Sequence, residues 1–292
     1  MAHDHQHSTD STANIKTAFF LNLGFTLLEV VGGLWTNSLA ILSDSVHDLG
    51  DSISLGLAWY LDRYSKRDRD DRYSYGYRRF SLLGALANTI ILIIGSILIL
   101  SQAVPRLMEP EHSNAQGMVL FAIVGILVNG AAVLRLRGSR SLNARVVAWH
   151  LLEDVLGWIA VLIVAVILLF ADIHVLDPIL SILITSYVLY NVVKNLRATL
   201  SLFLQAVPED FDIDQLEKDI SAVENVVSTH HTHIWSLDGE HHVLTTHVVV
   251  DESTSKDQVL CVREDIKKML TAYDFSHMTV EIEFGDDDCG MA

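Results

Sequence analysis

Six apolar runs, at roughly 17–35, 39–61, 80–102, 117–134, 146–170 and 178–196, constrain this chain more than any other feature. Each is close to the ~20 residues an α-helix needs to cross the hydrocarbon of a bilayer. Backbone polar groups in that medium must be satisfied within the segment, so runs of this length predict six transmembrane helices. The connections alternate in charge. Residues 62–79 carry seven Lys/Arg and residues 135–145 carry four, whereas "TNS", "AVPRLMEPEHSNAQG" and "ADIHVLD" hold a single Arg between them. The positive-inside rule then puts both termini and both basic loops in the cytoplasm, with the plasma (inner) membrane as the expected location. The opening "MAHDHQHSTDSTANIK" has no apolar core before a cleavage site, so no cleaved signal peptide is expected.

After "LRATLSLFLQAVPED" the pattern changes. From Val207 onward there are 20 Asp/Glu against 5 Lys/Arg, so most of the net charge of −16 belongs to this segment. Such a surface attracts cations and repels nucleic acid, which excludes nucleic acid as a partner. Cys261 and Cys289 form no CxxC pair, which fits a reducing compartment. Residues 212–222 and 255–273 read as helices. Residues 225–236, 240–251 and "HMTVEIEF" read as strands, with Asp238-Gly239 as a hairpin turn. The expected fold is an α-helical polytopic membrane protein plus a C-terminal α+β domain in the order αββαβ. Its divisions are a His-containing tail at 1–15, a six-helix membrane domain at 16–206 and a cytoplasmic domain at 207–292.

Two of the apolar runs contain residues that do not belong in lipid. "VHDLGDS" places His47, Asp48 and Asp51 in the second, and "WHLLEDVLGW" places His150 and Asp154 in the fifth. An Asp at the centre of a membrane helix costs roughly 2.5–3.5 kcal/mol on insertion scales. Both runs space His and Asp four apart, so each helix presents one imidazole and one carboxylate on a single face. Two such faces supply two nitrogens and two oxygens, a tetrahedral shell suited to Zn²⁺. A structural ion pair is the competing explanation, but the apolar interiors hold no obvious basic partner. Asp48 and Glu153 point about 100° away from the paired faces, and Asp44 lies one turn before His47. Imidazole binds metal only when neutral, and its ordinary pKa of about 6.5 lets protons compete with the cation. A site that exchanges the two as it faces alternate sides is an antiporter.

"NSLAILSDSVHDLGDS" with "HLLEDVLGW" resembles the cation diffusion facilitator family, in its zinc–cobalt–cadmium branch. "NLGFTLLEVVGG", "RYSYGYRRFSLLGALAN" and "LDPILSI" extend the resemblance over nearly the whole chain. It implies a homodimeric, proton-coupled exporter of Zn²⁺, with Cd²⁺ and Co²⁺ as further cargo, and no enzyme activity. Its intramembrane ligands match His47, Asp51, His150 and Asp154. It also implies a ferredoxin-like cytoplasmic domain that binds metal and dimerises.

Some members of that family carry a further site before the third span, built from Asp and two His. Here Tyr73 and Tyr77 stand at the matching positions, and a phenol with a pKa near 10 is a poor zinc ligand, so this site is expected to be absent. In the C-terminal domain a two-residue turn at Asp238-Gly239 places His230 opposite His247. Glu283, where the family often has a ligand, is the third member of this expected site, and Asp286, Asp287, Asp288 and Cys289 follow it. The competing reading is a half-buried, His-rich sheet in which these rings only pack. His3, Asp4, His5 and His7 could capture zinc or belong to a tail with no role. His112 and His174 fall in external loops and are read as incidental, and Glu29 and Asn88 as packing or cavity residues.

Three other functions compete, of which a pure zinc sensor would explain the C-terminal histidines but not six membrane spans. An intramembrane metalloprotease would need an HExxH-type arrangement, which is absent. A gradient-driven channel or facilitator would bind weakly at several sites instead of in one cage.

Overall fold

A computed structural model describes residues 6–65, 67–136 and 142–285. The chain divides into two compact units, residues 1–63 with 83–196 and residues 64–82 with 197–292.

Six long helices dominate the first part of the chain: α1 Gln6–Thr36, α2 Leu39–Ser65, α3 Phe80–Met108, α4 Ala115–Leu136, α5 Leu142–Phe170 and α6 Leu176–Phe203. Within α1, α3, α4, α5 and α6 lie stretches long and apolar enough to span a bilayer. Asp44, Asp48 and Asp51 in the first half of α2 keep it out of that group, although it has the length. The helices outrun the apolar runs. Helix α1 begins eleven residues before its apolar run because no Gly or Pro interrupts 6–23, and α6 continues past the last apolar turn to Phe203. Gly125 of α4 packs directly against Trp158 of α5. A Cβ there would come within 2.2 Å of the Trp158 ring, which is 1% exposed. The absence of a side chain therefore admits the largest buried residue of this core.

The second unit holds α7 Ile213–Ser221, β1 Val226–Ser236, β2 His242–Val250, α8 Lys256–Leu270 and β3 Phe275–Phe284, the expected αββαβ order. Asp212 caps α7 by accepting from Gln215 N, and Ser255 with Gln258 forms a capping box on α8. The sheet runs β1-β2-β3, antiparallel and then parallel, with α8 as the crossover. Leu216 and Ile220 of α7, Ile234, Leu244, Val248 and Val250 of the sheet, and Val262, Ile266 and Leu270 of α8 form its core.

The hairpin differs from expectation in one respect. Ser236 pairs with His242, so the turn is a five-residue loop at 237–241 and not a two-residue one. Asp238 accepts the N–H groups of Glu240 and His241, and Ser236 Oγ accepts that of Gly239. These local bonds favour the wider loop.

Candidate metal centres

Helix α2 is held at three points before it presents any functional side chain. Asp177 of α6, fully buried, caps its N-terminus: its carboxylate accepts from Leu39 N at 2.8 Å and Ser38 Oγ at 2.5 Å. An acceptor at a helix N-terminus satisfies orphan N–H groups and meets the positive end of the dipole. Further along, Ser43 and Thr185 share a hydroxyl bond of 2.7 Å, and Asn22 of α1 donates to Asp48 O at 3.1 Å and Ser52 Oγ at 3.0 Å. In the sequence, "LDPILSI" carries only the family resemblance and gives Asp177 no role of its own. A conspicuous Asp opening an apolar run was the available signal.

So anchored, α2 brings His47 and Asp51 to His150 of α5. Asp51 Oδ2 lies 2.7 Å from His150 Nε2 and 3.8 Å from His47 Nε2, and the two rings are 5.4 Å apart. One donor atom from each residue falls within 4.8 Å of the others. All three side chains are partly accessible, and His47 Nδ1 is buried with no hydrogen-bond partner among the described residues. Asp154 is not part of this trio. It is 9% exposed and interacts electrostatically with His150, His47 and Asp51. Glu29, 1% exposed, stands within electrostatic reach of Asp48, Asp44 and Asp154. The surroundings are therefore strongly acidic, a field that favours a cation. Glu153 faces outward, where Tyr187 donates to it at 3.4 Å.

In the second unit, His230 stands opposite His247 on the sheet face away from the core, as expected, but by another route. The five-residue loop shifts the register by one, and a bulge between His230 and His233 shifts it back. His231 carries that bulge with φ 49°. Glu283 of β3 joins the pair, Oε1 at 2.7 Å from His247 Nδ1 and Oε2 at 3.2 Å from His230 Nε2. His247 Nε2 faces Glu281 at 3.5 Å. Two imidazoles and a carboxylate with converging donor atoms can hold a divalent cation. Residues 286–289 and His3, Asp4 and His5 lie outside the described residues.

In the connection between α2 and α3, Tyr77 Oη donates to Asp70 at 2.6 Å, as do the N–H groups of Arg72 and Tyr73. These bonds hold the Asp70 carboxyl below the usual range and the Tyr77 phenol above its own.

Comparison with known proteins gives two family matches. The cation efflux transmembrane domain matches residues 15–204, and the cation efflux protein cytoplasmic domain matches residues 208–284. The metal cation efflux system protein CzcD of Cupriavidus metallidurans is 34% identical, over 96% of this chain and 89% of its own. The zinc transporter ZitB of Pectobacterium atrosepticum is 32% identical, over 100% and 92%. A "cadmium, cobalt and zinc/H(+)-K(+) antiporter" of Bacillus subtilis is 29% identical, over 97% and 92%.

Proposed function

The chain belongs to the cation diffusion facilitator family, in its zinc, cobalt and cadmium branch, and from that membership we propose that it exports Zn²⁺ from the cytoplasm in exchange for protons. It is an integral membrane protein of a metal-efflux family. The observation that carries the finer reading is the convergence of His47 and Asp51 on α2 with His150 on α5. Asp154, one turn beyond His150, is the fourth ligand of a tetrahedral His₂Asp₂ shell between these helices. Cd²⁺ and Co²⁺ suit the same donors.

Proton exchange follows from ligand chemistry. A metal-bound imidazole is neutral and a metal-bound carboxylate is ionised, so protons and zinc exclude one another at these atoms. Protons arriving from the outer side eject the cation there, and their release to the cytoplasm restores the empty ligands. The name of the Bacillus subtilis relative supports H⁺ as counter-ion and makes K⁺ a variable to control. The loop charges support a topology with both termini in the cytoplasm and a location in the plasma (inner) membrane. Two copies pair as a homodimer through the C-terminal domain, where His230, His247 and Glu283 bind zinc.

The test is zinc flux in proteoliposomes under an imposed pH gradient, with K⁺ equal on both sides, comparing wild type with Asp51→Ala and His150→Ala. Uphill zinc movement driven by acidification of the release side, silent in both variants, is the expected result. Downhill flux indifferent to pH would make the protein a channel or facilitator. Transport that survives in the variants would remove these residues from the path.

A further inference from the structure

The two external histidines are not scattered. His112, in the α3–α4 connection, and His174, in the α5–α6 connection, meet with Nδ1 and Nε2 2.8 Å apart. Asp172 closes the group, its Oδ1 at 2.7 Å from His174 Nε2 and 3.9 Å from His112 Nδ1. We propose that His112, Asp172 and His174 form a further divalent-cation site, for an ion of the Zn²⁺ class, at the end of the helical bundle made by these connections.

The spacing fits such an ion. Bonds of about 2.0–2.2 Å to imidazole nitrogen and carboxylate oxygen, at the tetrahedral angle, separate ligand atoms by about 3.4 Å. The observed 2.7, 2.8 and 3.9 Å bracket that value, so a cation enters with changes of about 0.5–0.7 Å in the three separations. Three protein ligands leave the fourth position to water, as in sites that exchange what they hold.

The loops are also held in place. Asn37, in the α1–α2 turn with φ 52°, is clasped by Arg106, and its side chain donates to His112 O at 3.2 Å. Ser113 Oγ donates to Asn37 O at 3.2 Å, and Asn114 N to Thr36 O at 2.8 Å. His174 is largely buried, at 14% side-chain exposure, while His112 and Asp172 stay open at 82%. The group is thus built around one fixed ring with two accessible partners. Ser113 N approaches His174 Nδ1 at 3.3 Å, so the ring's proton sits on Nε2, between two acceptors. A cation on Nε2 moves that proton to Nδ1 and gives up this long bond. Under the export reading this end of the bundle is where cargo leaves, and an exchange-competent site there would receive it. Only that placement rests on the proposed function; the site itself does not.

Equilibrium binding of Co²⁺ tests the site without any gradient. The full chain in detergent carries Asp51→Ala, His150→Ala, His230→Ala and His247→Ala, with His3, His5 and His7 also replaced by Ala. About one Co²⁺ per chain should remain, with the visible absorption of a low-coordinate ion. His174→Ala should abolish it, and Asp172→Asn should weaken it roughly tenfold or more. Should the multiple variant prove unstable, removing His112 and His174 alone from the wild type should lower zinc stoichiometry by one per chain. Absence of Co²⁺ binding by a folded background protein, or binding indifferent to His174→Ala, overturns the proposal. So does unchanged stoichiometry in the double variant. Loss of flux in the earlier experiment would leave every one of these readings intact.

Discussion

A single oxygen, Asp51 Oδ2, faces both membrane imidazoles, whereas Glu283 turns one oxygen to each of its histidines. The difference matters for what a cation replaces: one close contact, to His150 at 2.7 Å, in the first case and two separate contacts in the second. The same residue-scale logic governs Asp238. Burial pushes its carboxyl up, but the N–H groups of Glu240 and His241 and the His241 ring outweigh it and hold it below the usual range. A depressed carboxyl stabilises the folded loop above its unfolded pKa, and the stabilisation disappears as pH falls through the lower folded value. Asp238→Asn should therefore loosen the 237–241 loop at neutral pH by about 1 kcal/mol, a roughly fivefold larger opening equilibrium constant. Amide exchange of these residues in the full chain reads that ratio. It should shrink toward one as the pH falls below the carboxylate range, and a pH-independent ratio would assign the effect to lost packing.

Elements decide which of these residues can meet. The i, i+4 spacing of His47 with Asp51 and of His150 with Asp154 was legible because helix periodicity is local, and so was the αββαβ order. The route to the His230–His247 pair was not legible. It depends on a loop three residues wider than Asp238-Gly239 suggests and on a bulge that offsets it, and neither has a sequence signature in "HHTH". The His112, Asp172 and His174 group was hidden for another reason. Its members lie on loops some sixty residues apart, and only the packing of the helices joins them. The bulge makes a prediction of its own. His231 sits at φ 49°, where a side chain costs about 1–2 kcal/mol and glycine costs little. His231→Gly should raise the stability of the domain by about 1 kcal/mol and keep its zinc affinity, even though the His231 ring lies 5.5 Å from that of His247. His231→Val cannot adopt that backbone, so β1 slides toward a regular ladder and zinc binding weakens roughly tenfold or more. Calorimetric zinc titration of both variants checks this. A loss of affinity in His231→Gly would make His231 itself a ligand.

At the scale of the molecule the charge is lopsided, with 20 Asp/Glu against 5 Lys/Arg from Val207 on and near neutrality before it. Two copies of such a domain repel when brought together, and the repulsion reaches about 10 Å at 0.1 M salt and about 3 Å at 1 M. Zinc at His230, His247 and Glu283 adds positive charge to the sheet face of each copy, so in the proposed dimer metal and salt should draw the domains together by the same electrostatic route. Cys261, exposed on α8, offers a position for a spin label once Cys289 is replaced by Ser. In the full chain at low ionic strength, a chelator should lengthen and broaden the label-to-label distance, and zinc should shorten it. Raising the salt to about 0.5 M without zinc should recover part of the shortening. His230→Ala with His247→Ala should abolish the zinc response and leave the salt response in place. Distances that respond to zinc but not to salt would show that the ion bridges the copies directly. Distances that respond to neither would mean that the acidity of this domain serves cation capture alone.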